Sequence, residues 1–205
     1  MLNIKLMKNF YSFFLLTFSI LISAQISTNA DQVMEGINFQ NQAIEKSIVR
    51  SLRFENIGPS IMSGRVSDLE VNPKNPKEFY VAYASGGLWY TNNNGNTFDP
   101  IFDNANTQNI GDFAVDWENN IIIVGTGENN SSRSSYAGIG ILKSSDNGKN
   151  WENIGLTDSH HIGKIKINPK DSNEIVVGVL GHLYSKNSER GIFKTINGGK
   201  TWDKT

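Results

Sequence analysis

Three stretches of the chain, Thr91-Asn-Asn-Asn-Gly-Asn-Thr-Phe98, Ser144-Ser-Asp-Asn-Gly-Lys-Asn-Trp151 and Thr195-Ile-Asn-Gly-Gly-Lys-Thr-Trp202, align residue for residue. They share the pattern Ser/Thr-x-Asp/Asn-x-Gly-x-x-aromatic, and their glycines, Gly95, Gly148 and Gly199, stand 53 and 51 residues apart. An octet that returns in register at a near-constant period marks a repeat architecture. Its chemistry is that of a hairpin turn. The three glycines can take positive φ, and Asn93, Asp146 and Asn197 can bond the turn backbone with their side chains. Phe98, Trp151 and Trp202 serve as rigid apolar plugs that dock on the sheet. Two of the three octets carry neutral Asn where a cation loop needs Asp, so the octet reads as structural rather than metal-binding.

The flanks repeat as well. A first strand with period-two alternation is expected in Arg65-Val-Ser-Asp-Leu-Glu-Val-Asn-Pro73, in Gly111-Asp-Phe-Ala-Val-Asp-Trp117 and in Gly163-Lys-Ile-Lys-Ile-Asn-Pro169. A more apolar second strand follows each, as in Ile121-Ile-Ile-Val-Gly125, and a third enters each octet, as in Gly140-Ile-Leu-Lys143. A fourth leaves it, over residues 97–102 and 150–154. Four short antiparallel strands per repeat make one blade of a β-propeller. The chain is therefore expected to be all-β, with blade one over residues 64–103, blade two over 110–156 and blade three over 161–205. Phe54-Glu-Asn-Ile-Gly58 copies Trp151-Glu-Asn-Ile-Gly155, so residues 52–58 read as an outer strand that helps close a ring. Three blades fall short of the usual ring of about four to eight. The expectation is an N-terminal fragment of a longer protein whose remaining blades are its partners.

Before the repeat, Lys5 and Lys8 precede the apolar run YSFFLLTFSILI over residues 11–22, and Ser23-Ala24 precedes Gln25. This is the layout of a signal peptide over residues 1–24, too short to span a bilayer, so the mature chain is expected to be exported without a membrane span. Residues 25–51 read as a linker or a short helix. Within the 205 residues, 19 Lys and Arg balance 20 Asp and Glu, which offers no broad attraction to nucleic acid. The absence of cysteine excludes disulfides, thiolate catalysis and Cys-ligated zinc. No phosphate-binding or dinucleotide fingerprint and no nucleophile elbow occur, so no cofactor is expected.

Together with the octets, Gly86-Gly-Leu-Trp89, Gly125-Thr-Gly-Glu-Asn-Asn130 and His161-Ile-Gly-Lys-Ile165 resemble the Asp-box (BNR) repeat propellers of the sortilin N-terminal-domain class. Exported bacterial members of that class are loosely described as glycosyl-hydrolase-like. The resemblance implies large proteins with bigger or paired propellers. It is specific for fold and less so for activity, since Asp-boxes also occur in sialidases, xyloglucanases and photosystem assembly factors.

In a propeller, ligands meet the face built from loops joining strand four to one and strand two to three. Here those loops are residues 58–65, 103–110, 125–140, 156–162 and 181–190, and the octets lie at the opposite end. Arg65, Glu128, Asn130, Arg133, Tyr136, His161 and His182 are the candidate ligand-binding residues, offering charge, hydrogen bonds and a stacking ring. A site with His160, His161, His182 and Asp158 as metal ligands is discounted, because adjacent histidines on a strand point to opposite faces. The five arginines do not supply the three-arginine clamp of a sialidase. Xyloglucanase-like enzymes have an acidic residue before the Gly-Gly that ends strand two of blade one, where this chain has Ala84 and Ser85. The reading is a non-catalytic module that binds a protein, peptide or glycan. The alternative is a glycoside hydrolase that uses Glu128 or Asp112, with its other carboxylate beyond residue 205.

Overall fold

A computed structural model describes residues 27–52, 64–132 and 135–205. The expected signal peptide, nearly all of the expected closing strand and Arg133 lie outside the described residues. Of the expected linker or short helix over 25–51, the described residues from 27 on form a helix, α1 (Ala30–Lys46), capped by Asn29, whose Oδ1 accepts from the Asp31 N–H at 2.8 Å. Asp31 in the first turn and Lys46 in the last complement the helix dipole. None of its residues is buried, so local caps and turns define it rather than packing.

Twelve strands follow in three sheets: β1 (Val66–Val71), β2 (Phe79–Tyr83), β3 (Gly87–Thr91) and β4 (Asp99–Pro100); β5 (Ile110–Asp116), β6 (Ile121–Thr126), β7 (Ile141–Ser144) and β8 (Glu152–Asn153); β9 (Ile162–Asn168), β10 (Asp171–Val179), β11 (Gly191–Thr195) and β12 (Asp203–Lys204). In each sheet the strands pair antiparallel in sequence order. The first strands β1, β5 and β9 lie side by side. The fourth strands are shorter than the sequence suggests. Beyond them the ladder continues through one or two bonds: Ile101 N–H to the Leu88 carbonyl in blade one, Ile154 N–H to the Ile141 carbonyl and Ile141 N–H to the Gly155 carbonyl in blade two, and Thr205 N–H to the Ile192 carbonyl in blade three.

The hydrophobic cores lie between the sheets. One joins Tyr80, Leu88 and Phe102 of the first blade to Phe113, Ile122 and Val124 of the second. The other joins Ala114, Ile123 and Ile141 of the second blade to Ile162, Ile165, Val177 and Phe193 of the third. Blade two is thus covered on both faces, which is why β6 reads as an unbroken apolar run instead of an alternating one.

The octets build nearly identical turns. In each, the side-chain oxygen of Asn93, Asp146 or Asn197 accepts from the backbone N–H four residues on, at 2.9–3.0 Å. The hydroxyl of Thr91, Ser144 or Thr195 accepts from the N–H of the octet glycine at 2.8–3.1 Å. The tryptophans, however, dock on the preceding blade and not on their own. Trp151 Nε1 donates to the Ile101 carbonyl at 2.9 Å, and Trp202 Nε1 donates to the Ile154 carbonyl at 2.7 Å. The Trp151 ring also meets Phe102 edge-on, with centroids 4.9 Å apart. Gly148, at φ +83°, has no room for a side chain, since a Cβ there would lie 2.7 Å from Ile101 Cδ1. The Phe98 ring has no N–H to offer and packs within its own blade against Phe79.

Trp151→Phe keeps most of the ring packing but strands the Ile101 carbonyl, so we expect a loss of about 1 kcal/mol in urea unfolding. Trp151→Ala should cost about 3–5 kcal/mol. Equal, negligible losses for both variants would mean that the indole does not join the blades.

Candidate functional site

On the first strands, facing carboxylates and a lysine tie three blades together. Lys164 Nζ of β9 bonds Asp112 Oδ1 of β5 at 2.6 Å and Asp68 Oδ2 of β1 at 3.2 Å. The other Asp112 oxygen accepts from the Ile165 N–H at 2.7 Å. Burial and the hydrogen-bonded Asp68 carboxyl push Asp112 up from 3.8 to about 6, against the pull of Lys164 and the Ile165 N–H. Burial acts on Asp68 too, but its bonds to Asp112, the Leu69 N–H and Lys164 outweigh it and hold the pKa low. Asn129 Nδ2 donates to the Gly111 carbonyl of its own blade at 3.0 Å and to the Gly163 carbonyl of blade three at 3.4 Å.

The long loop between β6 and β7 crosses the end of the sheets remote from the octets. Glu128, a candidate ligand-binding residue there, is only 5% exposed and paired with Arg65 of blade one. Polar loop composition gives no hint of such a pair, because the partner is 63 residues away. Asn130 is exposed but engaged within the loop, accepting from Ser135 Oγ at 2.6 Å. Tyr136 is 57% exposed. Of the candidate residues, the fold therefore joins Arg65 to Glu128 and leaves the Tyr136 ring facing solvent.

The histidines gather at the neighbouring loops of blade three. His160 precedes β9 and sits at φ +55°, so strand alternation does not govern where the imidazoles point. Gly138 N–H donates to the His160 carbonyl at 2.7 Å, and Gly127 makes room for that oxygen, since a Cβ there would be 1.8 Å from it. The His160 ring stacks on His182 with centroids 3.6 Å apart. His182 Nδ1 lies 2.7 Å from Ser185 Oγ, and its Nε2 lies 3.1 Å from Asp158 Oδ1. His161 is only 3% exposed, beside the Glu128 backbone. Burial lowers the pKa of both His160 and His161, so the neutral imidazoles prevail near neutrality. Tyr184, 80% exposed, reaches the Ser132 carbonyl across the blade junction. Tyr184 and Ser185 belong to no motif in the sequence; only the fold brings them to His182.

A cavity of about 230 Å³ opens between these loops, lined by Ser135, His160, His161, His182 and Tyr184. A larger cleft of about 760 Å³ lies at the octet end, between Lys143 and Glu152 of blade two and Asn173 and Lys200 of blade three. Volume favours the cleft, but chemistry favours the cavity. None of the buried unpartnered side-chain atoms among the described residues belongs to a residue lining the cleft, whereas one lines the cavity.

No family model matches the chain, and no curated protein matches it. Among solved structures, it is similar to an ancestral GH74 enzyme, with a TM-score of 0.51 and 21% identity over 69% of this chain and 18% of that one. A GH74 enzyme from Niastella koreensis gives 0.48 and 20%, over 68% of this chain and 22% of that one. YCF48 bound to D1 peptide gives 0.45 and 15%, over 68% and 39%. The three sheets are propeller blades. At this identity the likeness speaks for the fold alone, and the chain spans about a fifth of the length of the GH74 enzymes.

The seam between propeller blades should be sensitive to pH. Because Asp112 stands at about 6 in the fold against 3.8 when free, its shift adds stability below 3.8 that fades as pH rises through 6. Lys164→Met leaves two carboxylates without their cation, a loss held to about 1–2 kcal/mol at pH 7 because Lys164 is half exposed. The loss should shrink at pH 4, where Asp112 is protonated. Urea midpoints at the two pH values check this, and a larger loss at pH 4 would contradict it.

Proposed function

We propose that this chain is part of an exported Asp-box propeller that binds an extracellular protein, peptide or glycan at the junction of blades two and three, without hydrolysing it. The observation that carries this reading is that Glu128 and Asp112, the two carboxylates a hydrolase here would use, are already committed. Glu128 is paired with Arg65, and both oxygens of Asp112 are held by Lys164 and the Ile165 N–H. A glycosidase needs two carboxyl groups flanking a sugar, about 5–9.5 Å apart. Asp68 and Asp112 share a hydrogen bond, which leaves no room for a substrate between them. The exposed rings of Tyr136 and Tyr184, in contrast, flank the cavity loops and suit stacking on sugars or apolar side chains.

The octet geometry supports the Asp-box assignment, and the apolar run over residues 11–22 supports export. Further blades are supported by the outer flanks, where Val66, Leu69 and Val71 of blade one and Ile192 and Ile196 of blade three are 41–69% exposed. Among the described residues no helix is long and apolar enough to cross a membrane.

A panel of extracellular polysaccharides and a displayed peptide library, each presented to the full-length protein, tests the reading. Tyr136→Ala combined with Tyr184→Ala should weaken the best hit at least about tenfold, near 1.4 kcal/mol, with unchanged thermal stability. Release of reducing sugar from xyloglucan, lost on Asp112→Asn, would overturn it in favour of a hydrolase.

A further inference from the structure

Three buried side-chain atoms among the described residues lack a hydrogen-bond partner: Ser159 Oγ, His161 Nδ1 and Glu189 Oε2. All three sit in the two upper loops of blade three. Buried polar atoms are rarely left unpaired, and a knot of them in one place calls for a bound ion, ligand or water. In the same two loops Asp158, His160 and His182 each offer one donor atom, all within 4.8 Å of one another. We propose that these three side chains bind a divalent transition-metal ion of the zinc class.

The donor set selects the metal. Two imidazoles and one carboxylate suit zinc, cobalt, nickel or copper, whereas magnesium and calcium favour shells made of oxygen. The geometry is half prepared. His182 Nδ1 lies 2.7 Å from Ser185 Oγ, so in the metal-bound tautomer the hydroxyl accepts from Nδ1–H and Nε2, 3.1 Å from Asp158 Oδ1, is free to bind the ion. That is about the spacing of adjacent donors around an ion with bonds near 2.1 Å. A cation there takes the place of the proton that otherwise joins the two atoms in a hydrogen bond. Asn187 straps the loops together, donating to the Asp158 carbonyl at 2.7 Å while its Oδ1 accepts from the His182 N–H at 3.1 Å. His160, the more exposed of the stacked pair, completes the set by swinging a ring nitrogen toward the ion. Glu189, whose carboxylate takes a hydrogen bond from the Asp158 backbone, joins Asp158 in balancing the charge of the dication. Three protein donors leave a coordination position free for water or an exogenous ligand.

This site is independent of whether the upper face binds a polymer, because its probe is the metal alone. Zn²⁺ and Co²⁺ titrated into the metal-free full-length chain, without a histidine tag, should bind at one equivalent by calorimetry. Co²⁺ should develop visible ligand-field absorption, and Mg²⁺ and Ca²⁺ should give no saturable heat. His160→Ala and Asp158→Asn should each weaken Zn²⁺ at least about tenfold, and Ser185→Ala, which removes only the orienting hydroxyl, by roughly tenfold. His160 and Ser185 are not part of the buried core, so circular dichroism should confirm that these variants stay folded. Absence of saturable Zn²⁺ binding in the wild-type chain would overturn the proposal, as would variants that bind as tightly as the wild type.

Discussion

The reach of each tryptophan indole into the preceding blade is the contact on which the rest of the structure depends. A single four-stranded sheet of this length buries little by itself, and here both hydrophobic cores lie between sheets. A blade is therefore stable only when docked on its neighbour, as in other stacked repeats. The indole N–H bonds from Trp151 to Ile101 and from Trp202 to Ile154 fix that docking at the outer edge. The octet glycines allow it, because a Cβ at Gly148 or Gly199 would lie within 2.7 Å of the same isoleucines. At the inner edge, Lys164 and the Ile165 N–H grip Asp112. With both edges pinned, the wedge angle between blades is set.

That rigidity places the chemistry. The loops at the end remote from the octets begin and end on strands that the seams hold fixed, so residues far apart in sequence meet reproducibly. Glu128 meets Arg65 across one seam, and Tyr184 meets the Ser132 carbonyl across the next. Gly127 has no side chain and lies against the His160 carbonyl, which keeps His160 at positive φ with its ring on His182. The octet end, in contrast, is occupied by the same turn three times over and serves as scaffold. The repeated turns and the varied loops thus lie at opposite ends of the sheets.

The repeat, the three four-stranded sheets and the turn chemistry of the octets were legible in the sequence because they rest on local pattern: a glycine at a fixed offset, a capping Asn or Asp, and strand alternation. What lay outside its reach depends on contacts between blades. Nothing near Trp151 says that its N–H finds Ile101, fifty residues earlier. Glu128 has the surroundings of a solvated loop residue, and its burial comes from Arg65 and the blade-three loop beside it. The histidines were discounted as a group on strand alternation, a rule that fails because His160 lies before the strand in a left-handed conformation. Asp112 looked like a spare carboxylate until the inner strands brought Lys164 against it.

Native-state hydrogen exchange on Trp202→Phe tests most directly whether the blades are joined through these indoles. The substitution lies in blade three, but the carbonyl it releases belongs to Ile154 at the edge of blade two. The account predicts faster exchange in β7 and β8 of blade two as well as in blade three, with β2 and β3 of blade one little changed. Faster exchange confined to blade three would contradict it, since the blades would then be folding without that tie.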